Sequence, residues 1–138
     1  VLLVNGKPSG ELMGNATDFL RLALAPDLPN RSPASPIRPT VIRESDLIGT
    51  DLTRFDCVFV CNVALLTDRE AEVLRGYLDA GGGVVFCLGD QVRADNYNQT
   101  LFREKQPLLP ARLLERIGDP KKKDAVFQFD AGDYSHPI

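Results

Sequence analysis

The sequence contains few of the side chains that bind metal ions or form disulfides. It has a single histidine and three cysteines among 138 residues. One histidine is too few for a zinc site of the usual Cys/His spacing, and an odd number of cysteines does not favour a disulfide framework. Cys57 and Cys61 would lie about 13 Å apart in an extended strand, whereas the Cα atoms of a disulfide lie within about 7 Å of each other. We therefore expect reduced thiols, no metal site and no cofactor.

The sequence also lacks a membrane span, an excess of positive charge and a phosphate-binding loop. No apolar run approaches the ~20 residues that cross a bilayer, so we expect no direct insertion of this chain into a membrane. Lys and Arg together number 16 against 19 acidic residues, for a net charge of −3. Nucleic acid is therefore not an expected partner, and the basic run 121–123 is typical of a solvated turn. The loop 7–14 matches neither GxGxxG nor a P-loop and is predicted to be a plain connection, which argues against a nucleotide-binding domain.

The chain carries enough apolar residues for one folded domain. They make up 43% of the sequence, which fits a single domain over 1–138. The chain opens on Val1 without a methionine and stops at Ile138, and we expect it to be a fragment of a longer protein. Five prolines between 26 and 39 predict an extended surface loop, with a Pro-rich ligand for a partner domain as the alternative.

Short apolar runs bounded by Gly, Asn or Asp predict the strands. They lie at 1–4, 40–43, 55–61, 84–88 and 125–129, of which the last alternates apolar and polar residues as an edge strand does. Continuous apolar runs are typical of strands that are buried on both faces of a parallel sheet. Together with the helices between them, they predict an α/β fold of three layers, α/β/α, with a mainly parallel sheet and helices on both faces.

Helical repeats and caps predict the helices. One helix is capped by Asn15 or Thr17, ends at Pro26 and is expected to place Phe19 on its apolar face. A second runs over 67–80 and opens on a capping box formed by Thr67 and Glu70. The remaining helical segments are a turn at 45–49, a helix that starts at Asp95 or Asn96, and an amphipathic helix at 109–117.

Polar and glycine residues follow the predicted strands. In a parallel α/β fold the ligand binds outside the carboxyl ends of the strands, so these residues should meet at one rim. The candidate ligand-binding residues are Asn5, Asn62, Gly89 and Asp90. Cys61, Cys87 and Asp130 are expected at the same rim. The ligand itself, either a small molecule or a partner protein, is not identified by these residues.

The segment 86–91, FCLGDQ, resembles the Gly-hydrophobic-Cys-x-Gly-His-Gln segment of class I glutamine amidotransferases. More broadly, 1–24 and 55–111 look like the amidotransferase-like domains found inside large, membrane-anchored bacterial proteins. The resemblance implies a flavodoxin-like sheet and a place within a larger protein that is tethered to a membrane. It also implies that Cys87 would be the nucleophile and His136 its base.

The catalytic pattern is incomplete in this sequence. Val85 stands where the family has a glycine two residues before the nucleophile, and Ile138 stands where the family's His-Pro-Glu has its carboxylate. We therefore predict a non-catalytic interaction or ligand-sensing domain, in which Cys87 is a buried structural thiol. The alternative is a glutaminase-type amide hydrolase that uses Cys87 and His136 and takes its carboxylate from beyond Ile138 or from a rim residue such as Asp90 or Asp130.

Overall fold

The computed structural model describes residues 1–26, 36–103 and 107–118. Its sheet has four strands in the order β2-β1-β3-β4, and every neighbouring pair is parallel. The strands are β1 (Leu2–Asn5), β2 (Thr40–Arg43), β3 (Cys57–Cys61) and β4 (Gly83–Cys87). The prediction of an α/β fold with a mainly parallel sheet is confirmed, and the first four predicted strands are present. The predicted strand 125–129 and the basic run 121–123 lie outside the described residues.

Three α-helices connect and follow the strands. They are α1 (Asp18–Leu24), α2 (Asp68–Asp79) and α3 (Ala94–Thr100), with single 3-10 turns at Glu44–Asp46 and Leu52–Arg54. The predicted capping box opens α2, because the Thr67 hydroxyl accepts from the Glu70 amide and the Glu70 carboxylate accepts from the Thr67 amide. None of the helices in the described ranges has the length and apolar character needed to cross a bilayer.

One face of the sheet carries the main core. Alternate residues of each strand point to this face, and α2 and α3 pack on it. The core includes Leu2, Val4, Val58 and Val60 from the strands, Ala71, Leu74 and Tyr77 from α2, and Tyr97 and Leu101 from α3. The Tyr97 ring meets Phe86 of β4 edge to face, with 6.1 Å between the ring centroids, and its hydroxyl donates to the Val63 carbonyl at 2.7 Å. Through Tyr97, α3 therefore contacts β4 at Phe86 and the loop after β3 at Val63.

The opposite face is covered less completely by the described residues. Leu3 in the central strand β1 is fully buried, whereas Val85 of the outer strand β4 is 41% exposed. A right-handed crossover from β1 to β2 puts α1 on this face. No residue of α1 is buried, and Phe19 is 70% exposed. The apolar face predicted for this helix, which includes Phe19, is therefore not buried in the described structure.

The amphipathic helix predicted at 109–117 does not form. The Leu113 amide donates to Asn98 Oδ1, and the Leu113 carbonyl accepts from Asn98 Nδ2, each at 2.8 Å. A helix would have used the same two backbone groups in its own ladder. The Leu108 amide donates in turn to the Leu101 carbonyl at 2.8 Å. Contacts from α3 thus hold the segment in an irregular conformation, in spite of its helical spacing of leucines.

Candidate functional site

The strand order places a topological switch point at the carboxyl ends of β1 and β3. From β1 the chain crosses to β2 on one side, whereas the later strands β3 and β4 are added on the other side. In open α/β sheets the ligand crevice lies where the direction of strand addition reverses. The order β2-β1-β3-β4 agrees with the first four strands of the flavodoxin-like order. That finer fold class stays a prediction, since it depends on the rest of the sheet.

Asn5 ends β1 at this switch point and is 7% exposed. Its Nδ2 donates to Asn15 Oδ1 at 2.9 Å, and its Oδ1 accepts from the Lys7 amide at 3.1 Å. Asn15 Oδ1 also accepts from the Ser9 amide at 3.0 Å, and Asn15 Nδ2 donates to Asp18 at 3.0 Å. The structure thus brings Asn5 to the rim as predicted but uses its amide to shape the loop before α1. It contributes to a site by positioning Lys7.

Asn62 follows β3 and links its own loop to the loop after β4. Its Nδ2 donates to Asp90 Oδ1 at 2.7 Å, and its Oδ1 accepts from the Gln91 amide at 3.0 Å. Its backbone amide donates to the Cys87 carbonyl at 2.8 Å. The residue has a φ of 51°, a left-handed conformation that asparagine tolerates better than most residues. Asn62 is therefore bound at three points and fixes the position of Asp90.

Two glycines allow the loops to approach Asn62. A Cβ atom on Gly89 would overlap the Asn62 side chain, and a Cβ atom on Gly6 would overlap the backbone of Asn62 and Val63. The Gly6 amide also donates to the Cys61 carbonyl at 2.9 Å. Gly89, a predicted site residue, thus acts by leaving space. Gly6 does the same on the β1 side and was not among the predicted site residues.

Lys7 and Asp90 form an ion pair across the top of the rim. The Lys7 Nζ atom lies 2.6 Å from Asp90 Oδ2, and the two side chains are 43% and 56% exposed. The hydrogen bond from Lys7, followed by that from Asn62, lowers the pKa of Asp90 below its ordinary value of 3.8. Sequence reasoning missed Lys7, which it assigned to a plain loop. The available signal was a lysine two residues after the last residue of β1, at the predicted rim.

A cavity of about 440 Å³ adjoins the rim on the β4 side. It is lined by Leu88, Gly89, Val92, Ala94, Leu113, Leu114, Glu115 and Arg116. Its wall is mainly apolar, and Gly89 borders both the cavity and Asn62. The space is large enough for a small molecule, and Asp90 directly follows Gly89, which lines it. The two hydrogen bonds between Asn98 and Leu113 help to form this space, because Leu113 and the residues after it line the cavity.

Cys87 is the last residue of β4 and is half-buried rather than fully buried. Among the described residues, the only non-glycine residues with positive φ are Met13 and Asn62, so Cys87 does not sit on a left-handed turn. Its register partner on β3 is Cys61. His136 and Asp130 lie outside the described residues, so the predicted pairing of Cys87 with His136 stays a prediction.

Comparison of the chain with known proteins finds no relative. No family model, no curated protein and no solved structure matches the chain. The resemblance of 86–91 to class I glutamine amidotransferases therefore stays a prediction. Within the described ranges, no cluster of three or more His, Cys, Asp or Glu side chains could hold a metal ion.

Proposed function

We propose that the chain is a non-catalytic, amidotransferase-like domain that senses a small zwitterionic ligand at the carboxyl ends of its strands. The observation that carries the proposal is the arrangement at Asp90. This carboxylate is fixed by Asn62 and paired with Lys7, and it directly follows Gly89, which lines the cavity, at the switch point where an α/β sheet takes its ligand. A role as an interaction module within a larger, membrane-anchored protein stays a prediction that follows from the resemblance alone.

The ion pair offers one positive and one negative group side by side. Both side chains are about half exposed, so solvent screens their attraction and the pair opens at little cost. Once it is open, Lys7 can bind a carboxylate and Asp90 an ammonium group. A free α-amino acid carries both groups on one carbon. Its side chain can then extend along the apolar wall between Leu88 and Val92.

The state of Cys87 supports the non-catalytic part of the proposal. An activated nucleophile of this family type sits on a strained turn and is paired with a base. Cys87 instead ends a regular strand and faces a second thiol, that of Cys61. Val85 and Ile138 also depart from the catalytic pattern. Amide hydrolysis by Cys87 is the outcome that would replace this proposal.

The test is a calorimetric titration of the protein with L-glutamine and L-glutamate. We expect saturable binding that is weakened at least about tenfold by Asp90→Asn and by Lys7→Met, because each removes one half of the charge complement. N-acetylglutamine, which lacks the ammonium group, should bind as weakly to the unaltered protein as glutamine does to Asp90→Asn.

The control is Asp68→Asn, which removes an exposed ion pair with Arg103 away from the rim. This variant should bind like the unaltered protein. The proposal fails if none of the amino acids binds, if Asp68→Asn weakens binding as much as Asp90→Asn, or if glutamine is hydrolysed and the activity disappears in Cys87→Ser.

A further inference from the structure

The three cysteines of the chain lie on the same face of neighbouring strands. Cys57 and Cys61 are the two ends of β3, and Cys87 ends β4. In the parallel register, Cys61 stands directly opposite Cys87, whereas Cys57 stands opposite Gly83. Residues directly opposite each other in register point to the same side of a sheet. The fold therefore creates one facing pair of thiols and leaves Cys57 without a thiol opposite it.

The strand ends that carry the facing thiols are joined by a backbone hydrogen bond. The Asn62 amide, directly after Cys61, donates to the Cys87 carbonyl at 2.8 Å. Neighbouring strands lie about 4.8 Å apart, and the Cα atoms of disulfides lie about 4.4–6.8 Å apart. Register partners such as Cys61 and Cys87 are therefore expected at a Cα separation within the disulfide range. Burial, together with the neighbouring Cys87, raises the pKa of Cys61 to about 12, which keeps this thiol protonated and inert by itself.

The two thiols differ in their access to solvent. Cys61 is 1% exposed, whereas Cys87 is half-buried. Val85 precedes Cys87 on the same face and is 41% exposed, and Leu88 directly after it is 53% exposed. A small oxidant can therefore reach Cys87 from the uncovered side of β4. Cys61, at 1% exposure, is closed to direct attack from solvent.

We propose that Cys61 and Cys87 are a redox-active dithiol that a hydroperoxide oxidises to an intramolecular disulfide. Cys87 is the attacking thiol and Cys61 the resolving one. This site stands independently of the proposed ligand, since it depends on the strand register and on the exposure of the two sulfur atoms. The bond would join the carboxyl ends of β3 and β4 directly below Asn62.

The reaction balances with hydrogen peroxide as the oxidant. The Cys87 thiolate attacks one peroxide oxygen, the O–O bond breaks, and hydroxide leaves to take up the proton that Cys87 released. The product is a sulfenic acid on Cys87. The Cys61 sulfur then attacks the Cys87 sulfur, the S–O bond breaks, and the Cys61 proton leaves with the hydroxyl group as water. Two thiols and one peroxide thus give one disulfide and two waters.

The test treats the full chain with hydrogen peroxide and then labels the remaining thiols with N-ethylmaleimide under denaturing conditions. We expect the protein to become lighter by two hydrogen atoms and to lose two of its three reactive thiols. Digestion with trypsin and chymotrypsin locates the bond, because cleavage at Phe59 separates Cys57 from Cys61. The cross-linked peptides should contain Cys61 and Cys87.

Cys57→Ser is the matched control, since it removes a thiol from the same strand and face. It should form the disulfide as the unaltered protein does, whereas Cys87→Ser should not form it and should keep Cys57 and Cys61 reduced. The proposal is overturned if all three thiols of the unaltered protein survive peroxide, if Cys87 gains oxygen atoms while Cys61 stays reduced, or if the bond involves Cys57 or a second chain. These readouts come from the unaltered protein and do not depend on the folding of a variant at the buried Cys61.

Discussion

Asn62 Nδ2 donates a 2.7 Å hydrogen bond to Asp90 Oδ1 and so joins the loop after β3 to the loop after β4. The other oxygen of the same carboxylate accepts from Lys7, which belongs to the loop after β1. One carboxylate therefore connects the ends of three strands. Asn62 holds it from the buried side, and Lys7 holds it from the exposed side.

Replacing Asn62 tests how strongly the rim depends on this residue. Asn62→Ala removes the partner of the Gln91 amide and of Asp90 and keeps the positive φ. We expect the free energy of unfolding to fall by about 1–3 kcal/mol. Asn62→Gly should lose about 1 kcal/mol less, because glycine adopts this φ without strain. Urea unfolding of both variants measures the difference, and equal losses would show that the backbone conformation contributes nothing.

Two glycines with opposite surroundings test the close approach of the loops. Gly6→Ala places a Cβ atom against the backbone of Asn62 and Val63 and should destabilise the fold by about 1–3 kcal/mol. Gly76 lies within α2, and a Cβ atom there meets nothing within 4 Å. Gly76→Ala should therefore stabilise the protein by about 0.5–1 kcal/mol. Thermal unfolding of both variants provides the measurement. A lower melting temperature for Gly6→Ala and a higher one for Gly76→Ala would support the described packing of the rim, and an unchanged melting temperature for Gly6→Ala would contradict it.

The capping box of α2 predicts that removing the Thr67 hydroxyl lowers the stability of the protein. Thr67→Ala removes the acceptor for the Glu70 amide, which lies 3.2 Å from the hydroxyl. The free energy of unfolding should fall by about 1 kcal/mol. Thr67→Ser keeps the hydroxyl and should stay within about 0.5 kcal/mol of the unaltered protein. Denaturant midpoints with an unchanged m-value provide the measurement.

The raised pKa of Cys61 predicts that the reduced protein loses stability at alkaline pH. Its pKa rises from an ordinary value of 9.0 to about 12 in the folded protein, mainly because of burial. Between these two values the unfolded chain has released the proton and the folded chain has kept it. The stabilisation is therefore complete below about pH 9 and is lost as the pH rises toward 12, at roughly 1.4 kcal/mol per unit.

In Cys61→Ala, the loss of unfolding free energy per pH unit above about pH 9 should be smaller by roughly 1.4 kcal/mol. The measurement is urea unfolding in a reducing buffer at about pH 8 and about pH 11. Cys57, Tyr77 and Tyr97 are also held protonated by burial, so part of the slope should remain in the variant. An unchanged slope in Cys61→Ala would show that the folded protein does not hold this proton.

The elements that sequence reasoning found are those with local signals. An apolar run of four residues ending at Asn5-Gly6 was enough for β1, and Thr67 with Glu70 was enough for the start of α2. The helix predicted at 109–117 also had a local signal and is wrong. Its leucine spacing fits a helix, but the Asn98 side chain, 15 residues away, takes the backbone groups of Leu113.

The contacts of the candidate site are non-local, and this limits how far a sequence can predict them. Lys7 and Asp90 are 83 residues apart, and the position of Lys7 just after β1 does not indicate which acidic residue it pairs with. The facing thiols could have been predicted from the sequence. Cys61 and Cys87 each end a predicted strand, so their pairing follows once β3 and β4 are taken as parallel neighbours in register. Only the pair within β3 was considered from the sequence.

The most direct test of the proposed function is an NMR titration of isotope-labelled protein with L-glutamine, in which the ligand signals are followed in the same tube. The account predicts saturable shifts at the amides of Lys7, Asn62, Gly89 and Asp90, with glutamine unchanged over time. Asp90→Asn should abolish these shifts while the rest of its spectrum stays that of the folded protein. Conversion of glutamine to glutamate that stops in Cys87→Ser, or a spectrum of the unaltered protein that glutamine leaves unchanged at the rim, would contradict it.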